Sequence, residues 1–203
     1  YVDGSRTGVL VTNDEQGGKE AFPFNGAPMR PDVLDCDIHH TTIKGEKWTI
    51  LIGLFEGRPY EVLGGLSNLI EIPKRHCAGR LTKHSFKTKA NRYDLTFGVD
   101  DDTTVIRDIV KVFDNPNESA FTRMISLALR HGSPPRLLAE QLLKDKDSDM
   151  YSFSRCVARI LKNYISDGEP AGDKACPMCS AEDALIYQDG CVTCSQCGYA
   201  KCG

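Results

Sequence analysis

Apolar residues along this chain change their spacing twice, and the changes divide it into three stretches. From residue 31 to about 114 they come in short runs with a β-branched and aromatic bias, the composition that suits a pleated, half-buried surface. Residues 47–55 predict a strand, Glu56-Gly57-Arg58-Pro59 a turn, and residues 60–63 the returning strand, ended by Gly64-Gly65. Residues 70–72, before Pro73, predict a short strand. Residues 80–86 and 92–97 mix apolar with polar positions, as half-buried antiparallel strands do. The stretch 103–113 is rich in β-branched residues, but Ile106, Ile109, Val110 and Phe113 keep a helical period, and we read it as helix.

From residue 115 to 167 the period is helical. Asn115-Pro116-Asn117-Glu118 supplies an N-cap, a first-turn proline and a glutamate at the third position. Phe121, Met124, Ile125 and Ala128 then share one face, and Gly132 ends the helix. Ser133-Pro134 starts a second helix with Leu137, Leu138, Leu142 and Leu143 expected inside. The third carries Phe153, Cys156, Val157, Ile160, Leu161 and Tyr164 in a single stripe. Asp167-Gly168-Glu169-Pro170 stops it, and residues 171–174 read as a short hinge. Residues 1–30 are Gly-rich and polar, with only 9–11 strand-like, and read as a linker or arm. The expected fold class is α+β: an antiparallel β-rich half, a three-helix segment, and a small C-terminal zinc ribbon. The expected boundaries are 1–30, 31–170 and 171–203.

The ribbon comes from the cysteines. Six of the nine lie in the final 28 residues. A tetrahedral metal site takes four ligands, commonly as two C-x-x-C turns. Cys176 and Cys179 make the first turn. The second is Cys194/Cys197 or Cys191/Cys194, both correctly spaced. Gly198, directly after Cys197, favours Cys194/Cys197, because tight turns often need the left-handed backbone that glycine allows. Residues 184–187 predict a strand and Asp189-Gly190 a hairpin turn between the two knuckles. Two sulfurs remain over: Cys191 and Cys202, or Cys197 and Cys202 under the other pairing.

Composition sets the class. A chain of 203 residues, 40% hydrophobic and 26% charged, can bury a real core. A net charge of −3 gives no basic excess for a nucleic-acid or anionic-membrane surface. The ribbon's own charges, Lys174 and Lys201 against Asp173, Glu182, Asp183 and Asp189, are net acidic. No run approaches the roughly 18 apolar residues of a membrane span, and the first residues lack a signal-peptide pattern. Cysteines grouped as C-x-x-C pairs fit a reducing, cytoplasmic setting. The chain begins at Tyr1 and reads as a piece of something longer.

Elsewhere the residues carry no chemistry of their own. Cys156 falls on an apolar helix stripe, and Cys36 and Cys77 stand alone. His39-His40 are neighbours on a strand, point to opposite faces and are read as surface residues. The glycine pairs lack the Lys-Ser/Thr of a phosphate loop. There is no Ser/His/Asp or paired-carboxylate arrangement.

The ending from Gly190 to Gly203, with Cys176-Pro-Met-Cys179 upstream, resembles the C-terminus of class II, adenosylcobalamin-dependent ribonucleotide reductases. The block from Val112 to Gly132 resembles the TSCPD domain that precedes that tail, as do residues 30–34 and 48–62. The resemblance covers about residues 30–203. It implies that a separate catalytic barrel binds adenosylcobalamin and the ribonucleotide and oxidises a pair of its own cysteines. This chain would then carry the dithiol that re-reduces them, Cys202 with Cys191 or with Cys197. Cys202 near a mobile end would reach the barrel, Lys201 would favour its thiolate, and a thioredoxin-like partner would reduce the pair in turn. Zinc on Cys176, Cys179, Cys194 and Cys197 would hold the base of the dithiol in shape. The competing expectation is a non-catalytic ribbon that docks a partner protein or nucleic acid.

Overall fold

The structure is a computed structural model that describes residues 26–67, 70, 72–113, 116–144, 149, 151–172 and 175–202. The strand-like stretch 9–11 and nearly all of the 1–30 arm lie outside the described residues, as do Asn115 and the Asp173-Lys174 end of the hinge.

Six strands form one antiparallel sheet: β1 (Val33–Ile43), β2 (Glu46–Phe55), β3 (Arg58–Leu66), β4 (Ala78–His84), β5 (Arg92–Phe97) and β6 (Thr104–Ile106). Their spatial order is β3-β2-β1-β4-β5-β6. Two-residue turns at Lys44-Gly45 and Glu56-Gly57 join β1 to β2 and β2 to β3, with φ of 52° and 84° at the first and 51° and 75° at the second. Positive φ at both positions matches the twist of the flanking strands. Four helices follow: α1 (Ile109–Val112), α2 (Pro116–Arg130), α3 (Pro135–Leu143) and α4 (Phe153–Lys162). The α+β expectation stands.

The sheet is covered on both faces. Ile50, Ile52 and Val62 join Ile125 and Leu129 of α2, Ala139 of α3 and the α4 stripe in one core. Leu51, between Ile50 and Ile52, joins Cys36, Ile38, Leu81, Leu95, Phe97, Ile72 and Ile109 in a second. A strand covered on both sides loses its alternation, which is why β2 reads as a continuous apolar run. Trp48 and Phe153 meet at 5.0 Å between ring centroids.

Several expectations shift. Residues 33–43, to which the sequence assigns no bounded strand, form the central strand β1. Gly64 and Gly65 lie inside β3, not at its end, and a Cβ on Gly65 would meet the Phe113 carbonyl at 2.6 Å. Ile70 and Ile72 are not in a strand, although Ile72 is buried. The stretch 103–113 splits into β6, paired to β5, and the short α1. On α2 the buried line is Thr122, Ile125, Ser126 and Leu129, while Met124 is exposed. On α3, Leu137 is exposed and Ala139 is the buried residue. His39 and His40 are half-buried rather than on the surface.

The α2 shift has a physical cause. β3 is an edge strand, and α2 lies along it. The Val62 N–H donates to Ser126 Oγ at 2.9 Å, satisfying an edge group that water would otherwise have to reach. Ser126→Ala strands that buried amide and is expected to cost ~1–3 kcal/mol. Urea denaturation checks it: an unchanged midpoint would show that water replaces the hydroxyl.

A carboxylate is also buried in the sheet. Glu61 is 1% exposed and sits opposite Gly53. A Cβ at Gly53 would lie 2.6 Å from Glu61 Cγ, so the glycine makes room for it. Arg30 grips it in bidentate fashion, Nε to Oε2 at 2.9 Å and Nη2 to Oε1 at 2.6 Å. Arg130, at the end of α2, adds a third bond at 3.0 Å. This triad ties the chain before β1, the edge strand and α2 together.

Candidate metal centre and cysteine pair

A second, three-stranded antiparallel sheet ends the described chain: β7 (Leu185–Gln188), β8 (Cys191–Cys194) and β9 (Ala200–Lys201). Asp189-Gly190 turns β7 into β8 through a two-residue loop. Two knuckles flank the hairpin and close in the same way. In the first, Ser180 N–H donates to the Cys176 carbonyl at 2.8 Å; in the second, Gly198 N–H donates to the Cys194 carbonyl at 3.0 Å. Gly198 has φ of 73°, the left-handed turn anticipated for it.

These knuckles bring Cys176, Cys179, Cys194 and Cys197 together, with all four sulfurs within 4.8 Å of one another. Cys176 Sγ lies 3.6 Å from Cys197 Sγ, and Cys179 Sγ lies 3.7 Å from Cys194 Sγ. A tetrahedron of metal–sulfur bonds near 2.3 Å has edges of roughly 3.8 Å, so the donor set fits a tetrahedral metal ion. Cys176 and Cys194 are buried; Cys179 and Cys197 are exposed. Backbone N–H groups of Cys197 and Gln196 aim at the Cys194 sulfur and hold its thiol down, at about 6. Among the described residues no other group of three or more His, Cys, Asp or Glu is placed to hold one ion.

Cys191 is not in the cluster. It is bonded to Cys202, with Cα atoms 4.4 Å apart. The β8–β9 register, Val192 with Lys201 and Thr193 with Ala200, sets those two cysteines opposite each other at the end of the ladder. Thus six cysteines sort into four plus two, and Cys197 is a member of the four. Cys202 is exposed and Cys191 half-buried. Cys36 and Cys156 are core residues, and burial pushes the Cys36 thiol far up.

The start of the expected hinge is tied down. Residues 168–171 run along β7 and bond to it: Gly168 N–H to Tyr187 O at 2.8 Å, Tyr187 N–H to Glu169 O at 2.8 Å, and Ala171 N–H to Leu185 O at 2.9 Å. Side chains add a second set of ties. Arg136 of α3 binds Glu169 at 2.8 Å and Glu140 at 3.1 Å. Glu140 accepts from the Gly172 N–H at 3.3 Å and from Tyr187 Oη at 3.4 Å. The ribbon is therefore stitched to the helical layer. Sequence reasoning misses Arg136, Glu140 and Glu169, because Glu169 and the groups that Glu140 meets in the ribbon lie too far along the chain for local spacing to reveal. It also misses the polar end of Tyr164, which the apolar stripe reads as a core position.

Among the described residues no helix is long and apolar enough to cross a membrane. No curated protein and no solved structure matches the chain. One family model matches, described as the NrdJ homologue C-terminal domain, over residues 34–166. The match spans the six-stranded sheet and all four helices and stops before the cysteine cluster. More than half of the 203 residues are covered, so the chain belongs to the NrdJ homologue C-terminal domain family and is an NrdJ-like region related to class II ribonucleotide reductases.

Proposed function

We propose that this chain is the C-terminal part of an adenosylcobalamin-dependent ribonucleotide reductase and carries its re-reducing dithiol, Cys202 with Cys191. The observation that carries the reading is the sorting of six tail cysteines into a four-sulfur cluster and a separate, partly exposed disulfide. The disulfide corresponds to the oxidised end of the cycle. Reduced, one thiolate of the pair attacks the disulfide of a catalytic barrel, forming a mixed disulfide. The second thiol displaces it, leaving the barrel with two thiols and this chain with its Cys191–Cys202 bond. Two electrons pass in that exchange, and a thioredoxin-like dithiol returns them. Exposed Cys202 is the natural attacker, and half-buried Cys191 the resolver.

Cys176, Cys179, Cys194 and Cys197 would hold zinc, which has no redox chemistry of its own and serves to fix the knuckles. Its coordination would keep those four sulfurs out of the exchange. Adenosylcobalamin belongs to the barrel, and nothing in this chain is assigned to it. In this reading residues 31–170 are the TSCPD-like body and 171–203 the ribbon.

The test is Cys202→Ser in the reductase holoenzyme, assayed with a thioredoxin-like reductant and, separately, with a small dithiol that reaches the barrel unaided. Loss of turnover by more than about 100-fold with the protein reductant alone is the expected result, since without the relay only rare direct encounters remain. Equal activity with both reductants would overturn the relay and leave a ribbon that only docks a partner.

A further inference from the structure

Lys162 occupies a position on α4 that would ordinarily be apolar. It follows buried Ala158 by one turn and is itself only 8% exposed. Lysine is rarely this buried without an anion beside it. Among the described residues the Lys162 ammonium has no ion pair and no hydrogen bond. Burial pushes its pKa down, and the two charges that bear on it, Lys201 and Arg159, push the same way because both are positive.

The ribbon brings Lys201 to it. A Cβ on Gly190 would stand 3.2 Å from Asn163 Oδ1 and 3.5 Å from the Lys162 carbonyl, so the turn that leads into Cys191 rests on the end of α4. Tyr187, Val192 and Lys201 lie directly opposite one another across β7, β8 and β9. Side chains paired in this way share one face of a sheet. On that face Tyr187 Oη donates to Glu140 of α3, so the face looks toward the helical layer, and Lys201 is turned with it. Cys191 and Cys202, one register position further on, belong to the other face.

While the Cys191–Cys202 bond stands, it keeps Lys201 near Lys162 against their repulsion. A dithiol that gives two electrons and two protons to that bond becomes a disulfide itself and leaves two cysteine thiols. Only the two-position ladder between β8 and β9 then opposes the repulsion. We propose that Lys162 is a positioning residue for Cys202: set against Lys201, its charge drives β9 off β8 once the disulfide is open and so turns the Cys202 thiol outward. The purpose of the movement rests on the cysteine relay proposed above, but the movement itself is a property of this chain.

The test compares the full chain with Lys162→Met, which keeps the buried stem and removes the charge. Each is equilibrated with mixtures of reduced and oxidised dithiothreitol, and the Cys191–Cys202 bond is scored by mass spectrometry. Hydrogen exchange of residues 198–202 is followed in the reduced form. Lys162→Met should need about threefold more reduced over oxidised dithiothreitol for half-reduction, the size of one partly screened charge pair. Exchange in 198–202 should slow by a similar factor. Lys162→Arg should restore both values. Lys201→Met should reproduce the effect of Lys162→Met and add nothing to it in the double variant, because either change alone abolishes the repulsion. Unchanged values in Lys162→Met, or effects of the two changes that multiply, would overturn the proposal. Failure of the relay would show separately, as turnover with the protein reductant that survives Cys202→Ser, and would leave these chain-level measurements as they are.

Discussion

Cys194→Ser is expected to abolish metal binding by the four-cysteine cluster and to unfold residues 175–202, leaving the six-stranded body folded. Among the described residues the ribbon buries only Cys176, Ala184, Leu185, Tyr187 and Cys194, so two of these five are sulfur ligands themselves. A core that small cannot order a segment by apolar burial alone. Metal binding to four thiolates supplies about 10–16 kcal/mol in small domains of this kind, and that free energy is folding free energy. Loss of one thiolate removes most of it. Metal-to-protein ratio and limited proteolysis check the outcome: the ratio should fall from one toward zero, with new cleavage confined to the ribbon. A strong chelator should reproduce both effects in the unsubstituted chain. A ribbon that keeps its protease resistance without metal would show that the Cys191–Cys202 bond and the contacts to α3 are sufficient.

Glu61→Ala should be the most damaging change in the body. It leaves Arg30, with a side chain only 6% exposed, facing Arg130 with no anion between them. Removing one partner of a buried ion group strands the others, at a cost of ~3–5 kcal/mol. The denaturation midpoint should drop accordingly. Replacing all three charges by apolar residues of similar volume should cost far less, because the penalty comes from unpaired charge and not from lost attraction. If the single and the triple changes proved equally harmful, packing around Gly53 would be the cause rather than electrostatics.

Legibility from sequence follows the range of the interactions. The three helices after residue 115, the two knuckles and the hairpin at Asp189-Gly190 are readable because each is specified by residues a few positions apart. The α4 stripe is legible for the same reason: Phe153, Val157 and Leu161 are buried. The α2 face is misjudged because it packs on an edge strand whose Val62 backbone takes Ser126 as its partner, so Ser126 is inside and Met124 is out. Hydrophobic periodicity has no means of signalling that. β1 carries Asp35, Asp37, His39 and His40 among its residues, and that polarity hides a strand paired on both sides. β6 is strand because β5 offers it a ladder, a partner that no window over 103–113 contains. The ties from Arg136 and Glu140 to the ribbon are set by tertiary approach alone.

The four-plus-two division of the cysteines also sets a stroke length. Cys197 is held in the cluster and Cys191 in β8. Once the disulfide opens, the segment that can peel away to carry Cys202 is therefore the five residues from Gly198 to Cys202. β9 pairs with β8 over just two positions, so little holds it back. At no more than about 3.4 Å per residue, Cys202 can travel roughly 17 Å from Cys197. In the proposed exchange a barrel disulfide must come within that radius of the ribbon. The depth of the partner's entrance, and not the looseness of a long tether, then limits where this chain can deliver electrons.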